Sequence, residues 1–245
     1  MARARAHVKA AHLSGRWDRK AWRLRRQLKR AARRGPTVIT LTEVADRDRP
    51  KAVRLPGYAK VQVADGPGGK RFDLGECAML IKRDTWKVQR SRVYVLGPDR
   101  GPGNRVIALM ALLKHVETGL TLVVGTSHLM SAVEGDWSGR RASFYRTDMD
   151  RWRRIFVSWR RAFKPDAEVA VADWNLDLHR SWVAQHLNEA WGGHENPRQL
   201  PKRGTHGKRL IDFPRTRGVR ALRLRVRSSL GASDHNELWW EGDIG

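Results

Sequence analysis

Short apolar runs of strand length recur along this chain, and a helical spacing interrupts them only three times. Thr37 to Val44 (TVITLTEV) reads as a buried β-strand. Further strands are expected at Ala59–Ala64, Cys77–Lys82, Trp86–Leu96, Val106–His115, Leu120–Leu129, Glu168–Trp174, Arg209–Phe213, Val219–Val226 and Glu237–Trp240, where apolar residues cluster over spans too short for stable helices. The first helix is marked by Trp17, Ala21, Leu24, Leu28 and Ala31, and Gly35-Pro36 stops it. The second, over residues 139–163, carries Tyr145, Met149, Trp152, Phe156 and Trp159 on one face, and a third is expected over 179–191. Strands outnumber helices and do not alternate strictly with them. That order predicts two packed mixed β-sheets flanked by helices, an α/β (α+β) architecture, rather than a doubly wound parallel sheet.

No internal repeat, long linker or domain boundary is visible, so the 245 residues are read as one domain, 1–245. It opens on a very basic segment, 1–34, with Asp18 as its sole acid. The whole chain has 49 Lys and Arg against 25 Asp and Glu, a formal charge of +24. Such a surplus costs self-repulsion and favours a polyanionic partner, nucleic acid before an anionic membrane surface. Cys77 is the only cysteine, which excludes an internal disulfide and a multi-thiolate zinc site. The basic N-terminus is followed by no apolar leader, and the longest apolar run, Val106 to Leu113, is too short to span a bilayer. A soluble cytoplasmic protein, of a bacterium or a phage-infected cell, is expected, with no membrane partner.

Five segments end a strand or enter a loop with a polar group suited to catalysis. Thr42-Glu43-Val44 places a carboxylate at the end of an apolar strand. Val123 to Leu129 (VVGTSHL) brings out His128. Val169 to Asp177 (VAVADWNLD) delivers Asp173 and Asn175, which strand alternation puts on one side. Arg209 to Phe213 (RLIDF) sets Asp212 among apolar neighbours, where an acid needs a partner. In Ser233-Asp234-His235, a histidine follows an acid, and Asp212 is available to orient its ring. Each signal is weak alone: a lone Glu is usually a solvated strand end, and Asp and Asn also favour turns.

In order and placement these segments resemble the endonuclease/exonuclease/phosphatase superfamily. Its strand-QE-V, T-H-L, G-D-W-N, I-D-F and S-D-H elements read here as TEV, TSHL, ADWN, LIDF and SDH, across residues 37–240. The resemblance implies a four-layered, deoxyribonuclease I-like sandwich and metal-dependent phosphodiester hydrolysis, with Mg2+ (or Mn2+) as cofactor. It implies metal binding by Glu43 and Asp234, and a catalytic set of His128, Asp173, Asn175, Asp212 and His235. Asn175 would also hold a phosphate oxygen. Glu76, in Gly75-Glu76-Cys77, stands where related enzymes pair an acid with the T-x-H-L histidine. Arg105, entering a strand, is expected to contact phosphate. One departure is clear: the opening strand, His7 to Ser14 (HVKAAHLS), lacks the family's Asn, and His12 or Ser14 is left to stand in.

A hard cation suits these carboxylate and amide oxygens, while imidazole exchanges protons near neutral pH. The glycine loops Asp65–Arg71 and Asp99–Arg105 match no P-loop and read as turns. Most of the 11 tryptophans are core residues, with Trp137 a candidate for base stacking. The expected activity is a monomeric endonuclease acting on DNA with low sequence specificity. A phospholipase- or phosphatase-type phosphoesterase and a catalytically impaired DNA-binding protein are the alternatives.

Overall fold

A computed structural model describes residues 4–15, 21–44, 53–62, 76–98, 105–131, 133–135, 137–229 and 233–245. Eleven strands form two sheets. They are β1 (Ala6–Ser14), β2 (Val38–Thr42), β3 (Tyr58–Val61), β4 (Ala78–Lys82), β5 (Trp86–Pro98), β6 (Arg105–His115), β7 (Thr121–His128), β8 (Ala167–Asp173), β9 (Asp212–Arg217), β10 (Val219–Arg227) and β11 (Glu237–Ile244). Among the described residues, three helices accompany them: α1 (Ala21–Ala32), α2 (Arg140–Phe163) and α3 (Ser181–Ala190).

The six-stranded sheet runs β10-β11-β1-β2-β4-β3 and the five-stranded sheet β5-β6-β7-β8-β9. Each is antiparallel except for one central pair, β1 with β2 and β7 with β8. Parallel neighbours need a crossover, and α1 and α2 supply one to each sheet. Helix α1 lays Leu24, Leu28 and Ala31 against Leu13, Ile39, Leu80 and Trp239 on one outer face. Helix α2 lays Met149, Trp152 and Phe156 against Met110, Val123 and Ala170 on the other. Between the sheets, Val8, Val38, Met79 and Trp240 meet Ile107, Leu109, Val124 and Val169. This is the expected four-layered, deoxyribonuclease I-like sandwich.

Segment 1–34 is no basic appendage, because β1 lies inside the six-stranded sheet. The strand expected at Arg209–Phe213 is displaced: β9 begins at Asp212 and continues through Pro214 to Arg217. Proline looks like a terminator, yet β9 is an edge strand, where a missing N–H is tolerated. The loops at Asp65–Arg71 and 99–104 lie outside the described residues. Among the described residues, no helix is long and apolar enough to cross a membrane.

Candidate active site

Strand alternation builds the site. On β1, Ala6, Val8 and Ala10 face the opposing sheet, and the same side continues to His12 and Ser14. On β2, Val38 leads to Thr40 and Thr42; on β7, Leu122 and Val124 lead to Thr126 and His128; on β8, Val169 and Val171 lead to Asp173. The apolar layer between the sheets therefore turns polar at one end, the C-terminal end of both parallel pairs. Antiparallel neighbours enter at that same end. Glu76 precedes β4, Asp212 opens β9, and His235 precedes β11.

Asp173 stands directly opposite Asp212 on one side and His128 on the other. His128 holds Glu76 Oε1 at 2.5 Å through Nδ1 and faces Asp173 Oδ2 at 3.4 Å through Nε2. His235 Nδ1 donates to Asp212 Oδ2 at 2.8 Å, and its Nε2 lies 3.7 Å from the same Asp173 oxygen. One carboxylate oxygen thus faces two imidazoles, each oriented by its own acid. Asp173 Oδ1 accepts the Asn175 N–H at 2.9 Å, and Asn175 Nδ2 donates to the Leu129 carbonyl at 2.7 Å. These bonds hold Asn175 in the left-handed region (φ 52°), which Asn tolerates better than most residues.

Electrostatics divides the roles. Burial pushes the Asp173 carboxyl up, and facing Asp212 adds to it, to about 7. Burial also opposes charge on Asp212, but His235 and His12 outweigh it and hold that carboxyl below its ordinary range. For His235, desolvation is overcome by Asp212, with help from Asp173 and Glu43, and the ring rises to about 10. Glu76 lifts His128 well above the ordinary histidine value in the same way. At neutral pH the site holds two imidazolium rings around one carboxylate poised near neutrality.

On β1, the strand expected to carry the family's Asn, His12 and Ser14 face the cluster. Ser14 donates its hydroxyl to Glu43 Oε2 at 2.6 Å, and Glu43 turns toward it from a left-handed backbone (φ 57°). His12 is buried, touches Thr40 Oγ1 at 2.9 Å, and aims Nε2 at Asp212 Oδ1 across 3.4 Å. Neither of those facing atoms has a formed hydrogen bond. Oxygen donors from Glu43 and Ser14 beside the crowded carboxylates suit a hard divalent cation, which usually takes one or two carboxylates and keeps its waters. Metal-competent clusters among the described residues are Asp173–Asp212–His235 and His206–Asp234–His235. Glu43 joins neither, and Asp234, an exposed side chain 3.9 Å from His206, belongs to the second.

Several neighbours escaped the sequence reading. Thr205 Oγ1 accepts the N–H groups of Ile211 and Asp212, fixing the entry to β9. Arg209 bonds Glu134 at 2.7 Å and reaches the Asn175 carbonyl at 3.4 Å. Tyr145 donates to the Trp174 carbonyl at 2.6 Å, tying α2 to the Asp173–Asn175 turn. His206 lies ring to ring with His235, centroids 5.0 Å apart. All four sit in loops or on a helix, without motif spacing. Arg105 opens β6, but its side chain falls outside the described residues. Trp137 packs on Trp182, His186 and Tyr145, which makes it part of a surface aromatic cluster.

Neither a protein-family model nor a curated protein matches the sequence. Solved structures do. An endonuclease/exonuclease/phosphatase from Bacteroides vulgatus matches with TM-score 0.73 at 14% identity, covering 98% of this chain and 100% of that one. The human Nocturnin catalytic domain gives 0.67 at 16%, covering 98% and 97%. TDP2 from D. rerio, complexed with a single-strand DNA product, gives 0.65 at 13%, covering 98% and 100%. The chain has the fold of the endonuclease/exonuclease/phosphatase, deoxyribonuclease I-like superfamily.

Proposed function

We propose that this chain is a metal-dependent phosphodiesterase, an endonuclease acting on DNA with low sequence specificity. The observation that carries the reading is Asp173 Oδ2, shared between His128 and His235, each backed by a dedicated carboxylate. With its carboxyl near 7, Asp173 is suited to take the proton of an attacking water. The charged His128 and His235 hold phosphate oxygens, and one of them protonates the departing alkoxide as the P–O bond breaks. The Asn175 side chain steadies a further phosphate oxygen. Glu43, helped by Ser14, is the residue we assign to a divalent ion, with Asp234 assisting through water. Mg2+ (or Mn2+) bound there supplies Lewis-acid neutralisation of the phosphate.

The net charge of +24 favours a nucleic acid over a small ester. A neighbour of the same fold, the mannosyl-6-phosphatase Bt3783 from Bacteroides thetaiotaomicron, supports the second reading, a small phosphate ester. We take residues 1–245 as one monomeric catalytic unit. Supercoiled plasmid incubated with the protein and Mg2+ or Mn2+ is expected to be nicked, with loss of nicking in EDTA and in Asp173→Ala or His235→Ala. Metal-dependent cleavage retained by both variants would sink the assignment. Retardation without cutting would point to a binding protein on this scaffold.

A further inference from the structure

Edge strand β10 (Val219–Arg227) carries a line of arginines that the catalytic cluster does not use. Arg223, Arg225 and Arg227 alternate with the less exposed Leu224 and Val226, so they share the outer face. Arg220 would fall out of phase, but a bulge restores it. Four residues of β10, from Arg220 to Arg223, span three on β11, from Asp243 to Glu241, and Ala221 takes a left-handed φ of 50° to do so. A left-handed alanine costs about 1–2 kcal/mol, and here it keeps four arginines in one row.

The carboxylates of β11 leave this row uncompensated. His7 engages Asp243 at 2.8 Å and Arg30 engages Glu237 at 2.5 Å. Among the described residues, none of the four arginines has an ion-pair partner. Arg223, Arg225 and Arg227 line a cavity of about 250 Å³ with Lys9 and Arg34, against one carboxylate, Glu241. The row also points at the catalytic end. Arg227 pairs in register with Glu237, two residues past His235. Arg30 donates to the Ser228 and Ser229 carbonyls, just past the end of the row.

We infer that this face is a track for the phosphates of one extended polynucleotide strand leaving the catalytic cluster. Same-face residues of a strand recur about every 6.6 Å, near the separation of successive phosphates on an extended single strand, and a basic groove following the backbone is how such strands are held. This proposal rests on the nucleic-acid reading of the site and names the substrate's form.

The test is fluorescence anisotropy of a labelled single-stranded oligonucleotide on the full-length Asp173→Ala protein across a salt series. Adding Arg223→Gln, Arg225→Gln and Arg227→Gln is expected to weaken binding at least tenfold and to flatten the log–log salt slope by about 2, at ~0.7 per lost phosphate contact. The matching triple Arg→Lys variant should keep the parent slope, which separates charge from fold. A control that removes as much charge from α2, Arg153→Gln, Arg154→Gln and Arg161→Gln, should leave the slope alone. An unchanged slope in the β10 triple, an equal loss in the α2 control, or an equal loss on a blunt duplex would each overturn the track. Hydrolysis of a small phosphodiester by the chain with Asp173 intact is scored separately, so a dead catalytic site and an absent track give different results.

Discussion

Asp212 offers one oxygen to each of two buried imidazoles, His235 at 2.8 Å and His12 at 3.4 Å. If Thr40 gives its hydroxyl proton to His12 Nδ1, the ring is left as an Nε2–H donor aimed at the carboxylate. His12 then fixes Asp212, and Asp212 fixes His235. Removing the ring that faces Asp212 leaves that carboxylate free to turn, and a displacement near 1 Å can cost about a hundredfold in rate, so His12→Ala should lower kcat by about tenfold to a hundredfold with KM little changed. His12→Asn, which retains a donor on a shorter arm, should recover part of the loss. Equal kcat in all three proteins, measured at saturating substrate, would show that His12 only fills space. The sequence displayed the residues of this unit, Asp212 amid the apolar residues of RLIDF and His235 beside an acid in SDH. It did not display His12 as their partner. That follows from the β1–β2 and β8–β9 registers, which no local pattern encodes.

At the scale of elements, the long, periodic stretches were the legible ones. Helix α2 runs Arg140–Phe163 against the 139–163 read from its aromatic stripe. The strands β4 to β8 and β10 lie within two residues of their expected bounds. The misreading at β9 is local and has a cause, Pro214, which concealed the strand's extent. The Glu76–His128 pair was legible only through the family resemblance, and it is present. Glu168 shows what ties these elements together. On β8 it receives both Nε and Nη2 of Arg160 from α2, at 2.6 and 2.8 Å, while Arg217 of β9 stands at 3.3 Å. Burial works against its charge, yet Arg160 and then His194 outweigh that and bring its carboxyl from 4.5 down to about 2. A depressed carboxyl stabilises the fold fully above the unfolded value and loses that contribution as pH falls through the folded one. Between pH 4.5 and about 2 the parent should therefore lose about 3 kcal/mol more than Glu168→Gln in urea titrations. Parallel pH curves for the two proteins would refute the coupling.

On the scale of the whole molecule, the cluster proposed as catalytic exists only while the two sheets stay aligned. Glu76, His12, Glu43 and His235 come with the six-stranded sheet; His128, Asp173 and Asp212 come with the five-stranded one. Every contact between an imidazole and an acid of the opposite sheet, including His128 with Glu76 and His235 with Asp212, crosses the interface. The alignment is set by the inner apolar layer, where Trp240 is almost wholly buried two residues below the level of His12 on the paired strand. The outer layer under α2 has its own large buried ring, Phe156. Deleting either aromatic side chain should cost about 3–5 kcal/mol, so stability alone does not distinguish the two layers. Activity should. Far below both melting temperatures, Trp240→Ala lets the sheets shift against each other, and a displacement near 1 Å can cost about a hundredfold in rate. Phe156→Ala loosens a helix outside the sandwich and should keep kcat within a few-fold of the parent at the same temperature. Equal kcat losses in the two variants would mean that the inner layer does not set the alignment of the site.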